Sequence, residues 1–363
     1  MNKVLIVAGG SGGHIFPAVS TAQTMIKKGW EVVFVASKRR IDKKLLKDTN
    51  YKKYYLSANP MPYKFSLKMF SFMFKFVSDV LISFFILIRE KPNVVVGFGG
   101  YVTGAVVFLA KVFHIKTVIH EQNIVLGRAN QILSKYVDKI ALSFPSKIDS
   151  ALKEKICITG NPIRPEILSD KKEDLLKVLS NEQKTVKLLV IGGSQGATSM
   201  NKIVVNDLSL IEDSIKAKLE IIHIAGDKDV EYVQNTYLQH NIIAKVYNYV
   251  ENINNIYKIV DIAISRAGAS AVFELAFYGI PMILIPYPNE KNSQILNAKF
   301  FADKKAAVLL EEKNMSQGQI KNIVSEWVKN RHIREEFIEN ARNIVELNAS
   351  QKLSEVIIDI LKR

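Results

Sequence analysis

Residues 3–18, KVLIVAGGSGGHIFPA, and residues 186–201, VKLLVIGGSQGATSMN, share one design: a short apolar run, a glycine-rich turn, then a helix-forming stretch. Strand, glycine turn and helix in that order open a dinucleotide-type βαβ unit. Two copies in one chain therefore constrain it to two such domains. The runs that follow agree. EVVFVAS, NVVVGFGG, KTVIHEQ and KIALSF come after the first copy; LEIIHIAG, AKVYNYV, IAISRAG, PMILIPY and AAVLL come after the second. Apolar runs without polar alternation belong to strands covered on both faces. Helical patterns lie between several of them, so each half is expected to form a parallel sheet with helices on both sides. The 363 residues suffice for two cores. The junction is expected within ITGNPIRPEIL (158–168), whose two prolines disfavour a continuous helix. That gives a first domain over 1–162 and a second over 163–344. Apolar residues at helical spacing in QKLSEVIIDILKR predict a last helix, about 345–363, that is free to pack back on the first domain.

Hydrophobic residues make up 48% of the chain, so it folds. Its one cysteine, Cys157, leaves no intramolecular disulfide framework, which fits a reducing cytosol. Within KICITG it is expected to be a small core residue. The apolar run of MNKVLIVAGG is too short for a secretory signal. The net charge is +15 and uneven. Residues 1–163 hold 24 Lys and Arg against 9 Asp and Glu, whereas the other 200 residues hold 26 of each. The first domain is thus expected to meet phosphates or an anionic membrane surface. Nucleic acid is not expected, because the bases are not set in any recognition module.

Gly9, Gly10, Gly12 and Gly13 let the backbone approach an anion closely, and the helix that follows adds unpaired N–H groups and partial positive charge. Two rival phosphate motifs fail. The G-x-G-x-x-G fingerprint would need a third glycine at Ile15, and the second strand ends in Ser37 and Lys38 rather than an acid. The Walker pattern lacks its Gly-Lys-Ser/Thr. A diphosphate held by backbone amides is the expected guest. His14 follows the turn directly. Imidazole is a base near neutral pH, and the residues alone leave it open whether His14 is that base or bonds the loop backbone.

The most apolar segment is KFSLKMFSFMFKFVSDVLISFFILIREK (64–91). It is long enough to span a bilayer, but Lys68, Lys75 and Asp79 would lie within the span. Peripheral docking is expected instead, with exposed Phe and Leu in the interface and the basic run 37–53 drawn to anionic lipid.

Seven pieces stand in order: GGSGGHIFPA (9–18), GFGGYVTGA (97–105), HEQN (120–123), GNPIR (160–164), GGSQGA (192–197), SRAGASAVFE (265–274) and NSQILNA (292–298). In that order the chain resembles the MurG family of bacterial glycosyltransferases over most of its length. The resemblance implies the α/β GT-B architecture, two Rossmann-like domains with parallel sheets facing across a cleft. It implies an inverting transfer of N-acetylglucosamine from UDP-N-acetylglucosamine to the undecaprenyl-diphosphate-linked muramyl-pentapeptide, lipid I. The product would be lipid II for peptidoglycan, made at the cytoplasmic face of the plasma membrane by a peripheral enzyme.

The resemblance also implies site roles. His14 would be the base, with Glu121 the rival base or an orienting partner. UDP-N-acetylglucosamine would meet Ser11, Gly12, Gly13 and Asn123 of the first domain, and Arg164 at the junction, whose other reading is an interdomain salt bridge. On the second domain it would meet Ser194, Gln195, the stretch Ala269, Ser270, Ala271, Val272, Phe273 and Glu274, and Val250, Gln294 and Asn297. Glu274 would accept the ribose hydroxyls, the Val250 backbone would meet uracil, and the two amides would face the sugar. Gly10, Gly13, Gly100 and Tyr101 would hold the acceptor diphosphate. No metal or cofactor is expected. The one D-x-D, Asp227-Lys228-Asp229, carries a lysine and falls in an expected surface turn, and helix N-termini can stabilise departing UDP instead. Two departures from the family stand out: 64–91 is richer in phenylalanine, and the helix after GGYVTG lacks a proline common there. Two other classes share the architecture. A UDP-sugar 2-epimerase would leave the basic first half and 64–91 unexplained. A non-catalytic nucleotide-sugar sensor would keep its affinity when His14 is replaced.

Overall fold

The apolar runs become strands because the residues flanking each strand on both faces are covered. Val4, Leu5, Ile6 and Val7 are fully buried, as are Val94, Val95 and Val96 and, in the second half, Ile262, Ala263 and Ile264. The computed structural model describes residues 1–58, 67–145, 150–169, 185–193, 197–288 and 293–362, without the side chains of 67–73. The first sheet comprises β1 (Lys3–Val7), β2 (Glu31–Ser37), β3 (Lys52–Leu56), β4 (Val94–Gly97), β5 (Lys116–Glu121), β6 (Lys139–Leu142) and β7 (Ile156–Ile158), ordered β3-β2-β1-β4-β5-β6-β7. The second comprises β8 (Val186–Ile191), β9 (Leu219–Ile224), β10 (Ala244–Tyr247), β11 (Ile262–Ser265), β12 (Met282–Leu284) and β13 (Ala307–Leu309), ordered β10-β9-β8-β11-β12-β13. Every pairing is parallel. In both sheets the strand order reverses beside the first strand, between β1 and β4 and between β8 and β11. In open α/β sheets ligands bind outside the carboxyl ends of the strands at that switch point.

Two strands were not expected. The edge strand β3 lies in the basic run and is only partly buried; β7 has three residues at the other edge. Cys157 sits on β7 and is partly exposed, so it is not the core residue expected.

The chain divides into two compact units, Met1–Arg164 with Glu346–Arg363, and Pro165–Val345. The last helix, Ala349–Asp359, belongs to the first. Its Leu353 and Ile357, with Ile360 just beyond it, join the core built on Val4, Ile6, Ile15 and Phe34. Ser20 Oγ donates to the Ile163 carbonyl (2.7 Å) and lies 2.6 Å from Ser350 Oγ. Gly160 has φ +79°, and a Cβ on it would lie 2.6 Å from Glu346 Cβ. Only glycine fits where the chain leaves this unit and re-enters it.

From Phe74 onward the helix Leu67–Glu90 buries polar side chains and turns an apolar face outward. Asp79, Ser83 and Glu90 are buried with Ile86 and Leu87. Phe74, Val77, Leu81, Phe85 and Ile88, spaced by three or four residues, are 51–80% exposed. The inward charges have fixed partners. Asp79 accepts the N–H groups of Ser57 and Ala58, both at 2.8 Å, where the chain leaves β3. Glu90 takes Lys52 Nζ at 2.6 Å, Lys3 Nζ at 3.2 Å and the Tyr54 hydroxyl at 2.5 Å. Burial pushes the Glu90 carboxyl up, but hydrogen bonds from Lys52, Tyr54 and Lys3 outweigh it and hold the pKa at about 2. Asp79, expected as a charge opposing membrane insertion, is thus the helix's anchor to the sheet. The apolar face continues onto the helix Tyr101–Val112 and its end through Phe108, Val112 and Phe113, with the rings of Phe84 and Phe113 5.5 Å apart. Among the described residues no helix is long and apolar enough to cross a membrane.

Candidate active site

At the switch point of the first sheet two glycine turns lie back to back. Gly9 and Gly10 follow β1; Gly99 and Gly100 follow β4. Gly100 has φ +80°, and a Cβ on it would stand 2.3 Å from the Gly9 carbonyl oxygen. His14, in the first turn of the helix Gly12–Lys27, is half-buried between them. Its Nδ1 is 3.0 Å from the Gly9 oxygen and 3.5 Å from Ser11 Oγ. A carbonyl only accepts, so Nδ1 carries the proton and the Nε2 lone pair is left for another partner. The ring edge faces Gly99, where a Cβ would come within 3.2 Å of Nε2. The glycines therefore make room for this imidazole as well as for a ligand. A Cβ on Gly12 would strike the Phe16 ring at 2.8 Å, whereas one on Gly13 would meet only Ser11 Oγ at 3.6 Å. No side chain caps the helix Gly12–Lys27 or the helix that begins at Tyr101, which is itself exposed.

A buried acid holds the first turn. Asp42 accepts the Gly10 N–H (3.0 and 2.9 Å), the Ser37 N–H (3.1 Å) and the Ser37 hydroxyl (2.5 Å). Beside it, the exposed Arg39 brings Nη1 to 4.0 Å from where a Cβ on Gly10 would be. Both lie in the run expected only to attract lipid.

Glu121 ends β5 and is 2% exposed. Its Oε1 accepts the Asn123 backbone N–H (3.1 Å) and side-chain amide (3.2 Å); its Oε2 accepts the Gly127 N–H and the Asn130 amide, both at 2.8 Å. Four donors occupy the carboxylate, and it shapes the 122–130 loop. His120 is buried and neutral. Burial lowers its pKa to about 4, against the opposing hydrogen bond to Gly160. Its Nε2 faces the Gly160 carbonyl at 3.2 Å, and the Gln122 amide reaches Nδ1 at 3.0 Å.

The second unit repeats the scheme after β8 and β11. Gly193 has φ +98° and open space around it, and Ser194 and Gln195 lie outside the described residues. Gly268 has φ −69°, and a Cβ there would meet nothing within 4 Å. Neither conformation nor packing requires glycine at that point; close approach of a ligand would. It opens the helix Ala269–Tyr278, which no side chain caps. Glu274 is buried, 3.4 Å from the Tyr257 hydroxyl, and so is no solvated helix residue. Ala269, Ser270 and Ala271 occupy the first turn. Val272 and Phe273 turn their side chains into the core, leaving only their backbone for a ligand. Val250 is partly exposed after β10. Gln294 Oε1 accepts the Tyr287 N–H at 2.9 Å, and Asn297 Nδ2 donates to the Ala267 carbonyl at 3.1 Å. Arg164 belongs to the first unit, its guanidinium 4.3 Å from the Phe16 ring centre.

The Asp227–Asp229 stretch is the turn expected after a strand, with Asp227 and Lys228 exposed, but Asp229 departs from the surface. Asp229 is buried and accepts the Asn201 amide at 2.8 Å, while Asp227 accepts the Asn248 amide at 2.9 Å. Among the described residues no group of three or more His, Cys, Asp or Glu side chains stands where it could hold a metal ion.

Comparison with known proteins covers both units. Residues 4–142 match the glycosyltransferase family 28 N-terminal domain and residues 187–356 the family 28 C-terminal domain. The chain is 34% identical, over 99% of its length and 97% of the other, to the UDP-N-acetylglucosamine–N-acetylmuramyl-(pentapeptide) pyrophosphoryl-undecaprenol N-acetylglucosamine transferase of Desulfotalea psychrophila. The like-named protein of Histophilus somni is 32% identical over 99% and 98%. The crystal structure of Acinetobacter baumannii MurG superposes with a TM-score of 0.79 at 28% identity, covering 99% of this chain and all of that one. With two matched domains, full-length relatives and a shared fold, the chain belongs to glycosyltransferase family 28, and within it to the MurG family.

Proposed function

We propose that the chain transfers N-acetylglucosamine from UDP-N-acetylglucosamine to the lipid-linked muramyl-pentapeptide acceptor, inverting the anomeric centre. The observation that carries the chemistry is His14. The Gly9 carbonyl fixes its proton on Nδ1, and its Nε2 edge lies against the second glycine turn at the switch point of the first sheet. Nε2 takes the proton from the acceptor hydroxyl, whose oxygen attacks the anomeric carbon as the bond to UDP breaks. Glu121, with both oxygens engaged, orders the loop carrying Asn123 and is not the base. The acceptor diphosphate is held by Gly13, Gly100 and Tyr101, with Arg39 the nearby cation; Gly10, expected among its donors, gives its N–H to Asp42 instead. The donor is held mainly on the second unit. Backbone N–H groups from Gly268 to Ala271 meet its diphosphate, Glu274 the ribose, the Val250 backbone the uracil, and Gln294 and Asn297 the sugar. Ser11, Gly12, Asn123, Arg164, Ser194 and Gln195 complete the donor contacts. No metal takes part.

The outward apolar face of Leu67–Glu90 docks on the anionic cytoplasmic face of the plasma membrane, where a prenylated acceptor resides. The test is incubation of purified protein with labelled UDP-N-acetylglucosamine and lipid I, with and without chelator. The expected result is a lipid-linked disaccharide in a new β linkage at equal rates in both. Formation of UDP-N-acetylmannosamine, or donor binding without turnover, would refute the proposal.

A further inference from the structure

A buried arginine joins the loops at the carboxyl edge of the second sheet. Arg266, just after β11, is 5% exposed. Its Nη1 donates to the carbonyls of Ile285 (3.1 Å) and Pro286 (3.0 Å) and lies 2.5 Å from Glu312 Oε1; its Nη2 donates to Ser199 Oγ (2.9 Å). Ser199 donates in turn to the same Glu312 oxygen at 3.1 Å. The Tyr287 ring centre is 5.6 Å from the guanidinium carbon. Ser199 stands at the start of the helix after β8, residues 285–287 follow β12, and Glu312 follows β13. One planar fork thus ties together the ends of four strands. Burying a charge pair gains little net stability over apolar packing. What a rigid five-donor fork supplies is geometry.

The geometry it sets is that of the two amides assigned above to the sugar, Gln294 and the fully buried Asn297. Pro286 precedes Tyr287, whose N–H is accepted by Gln294 Oε1 at 2.9 Å. Arg266 precedes Ala267, whose carbonyl accepts Asn297 Nδ2 at 3.1 Å. With Oε1 engaged, Gln294 offers N–H donors, which suit a sugar hydroxyl or an acetamido carbonyl oxygen.

We infer that Arg266 and Glu312 are positioning residues that set donor-sugar selection through Gln294, without touching the sugar. This rests on the donor site proposed above. The test uses the full-length protein and its Arg266→Lys and Glu312→Gln variants. UDP and UDP-N-acetylglucosamine affinities are measured by calorimetry. KM and kcat are measured with UDP-N-acetylglucosamine and with UDP-glucose, which lacks the acetamido group. In both variants KM for UDP-N-acetylglucosamine rises about tenfold and its preference over UDP-glucose falls about tenfold, while UDP affinity stays within about threefold. A merely structural pair would lower the unfolding midpoint and leave sugar discrimination intact. A folded variant with wild-type discrimination overturns the inference, and Glu312→Gln decides alone if Arg266→Lys does not fold. Wild-type protein that binds UDP but does not discriminate sugars also overturns it, leaving the nucleotide site standing. Binding of neither ligand fails the donor-site proposal and the inference together.

Discussion

Replacing Phe85 by serine measures what the outward face of Leu67–Glu90 is for. Phe85 is 66% exposed in the middle of the apolar stripe. A phenylalanine side chain offers about 200 Å², so about 130 Å² stands in water. At about 25 cal/mol/Å² its complete transfer to an apolar phase is worth about 3 kcal/mol. A helix lying in the interface sinks only part of each side chain. Half the transfer, about 1.6 kcal/mol, is about fifteenfold in partition. Cosedimentation with phosphatidylglycerol vesicles reads that ratio directly. Phe85→Ser should weaken vesicle binding about fifteenfold, and the unfolding midpoint should hold, since the side chain it removes packs mostly against solvent. Ile243, 65% exposed on the second unit, is the control: Ile243→Ser removes comparable apolar surface away from the stripe and leaves vesicle binding unchanged. Wild-type binding by Phe85→Ser, or an equal loss in Ile243→Ser, would refute docking through this face.

Two further perturbations test the framework under the site. Glu90 has its folded pKa depressed from 4.5 to about 2, so its contribution is fully present above pH 4.5 and is lost as pH falls through 2. The full shift corresponds to about 3 kcal/mol. Lys52 is half exposed, and solvent screening reduces this to about 2 kcal/mol. Urea unfolding should find Glu90→Gln less stable by that amount at pH 7, with the gap narrowing from pH 5 toward pH 2; a constant gap would contradict the ion-pair account. Gly100→Ala places a Cβ 2.3 Å from the Gly9 oxygen at φ +80°. It should cost about 1–3 kcal/mol of stability by thermal melts and lower turnover more than tenfold; unchanged turnover would show that the two turns need not abut.

Much of the fold was legible because long apolar runs and repeated glycine turns leave few alternatives. β1, β2, β4, β5, β6, β8, β9, β11 and β12 fall on runs whose residues are mostly buried on both faces, and the edge strands β10 and β13, though partly exposed, still carry apolar runs. β3 and β7 also sit at sheet edges and are partly exposed, but β3 opens on two lysines and β7 has only three residues, so neither carries such a run. The apolar content of 64–91 pointed to Phe and Leu facing outward, but not to what holds the other face. That face is held by Asp79 and Glu90 finding donors on Ser57, Ala58, Lys3, Lys52 and Tyr54, far away in sequence. The same holds at the site. His14 and the glycines are contiguous and could be read as a unit, whereas Asp42 reaches Gly10 across 32 residues and Arg266 reaches Ser199 across 67. Nothing local marks Asp42, and although Arg266 stands in SRAGASAVFE, nothing there names its partners. Glu121 stood in a readable motif, whereas the four donors that fill its carboxylate are visible only in the fold.

The account turns on one imidazole, and His14→Ala examines it most directly. Donor affinity is measured by calorimetry with UDP-N-acetylglucosamine, and turnover with lipid I on the same preparation. The account predicts turnover lowered by about a hundredfold or more, with the donor dissociation constant within about twofold of wild type. Turnover within about threefold of wild type, or a collapse of donor affinity that by itself explains the lost rate, would contradict it.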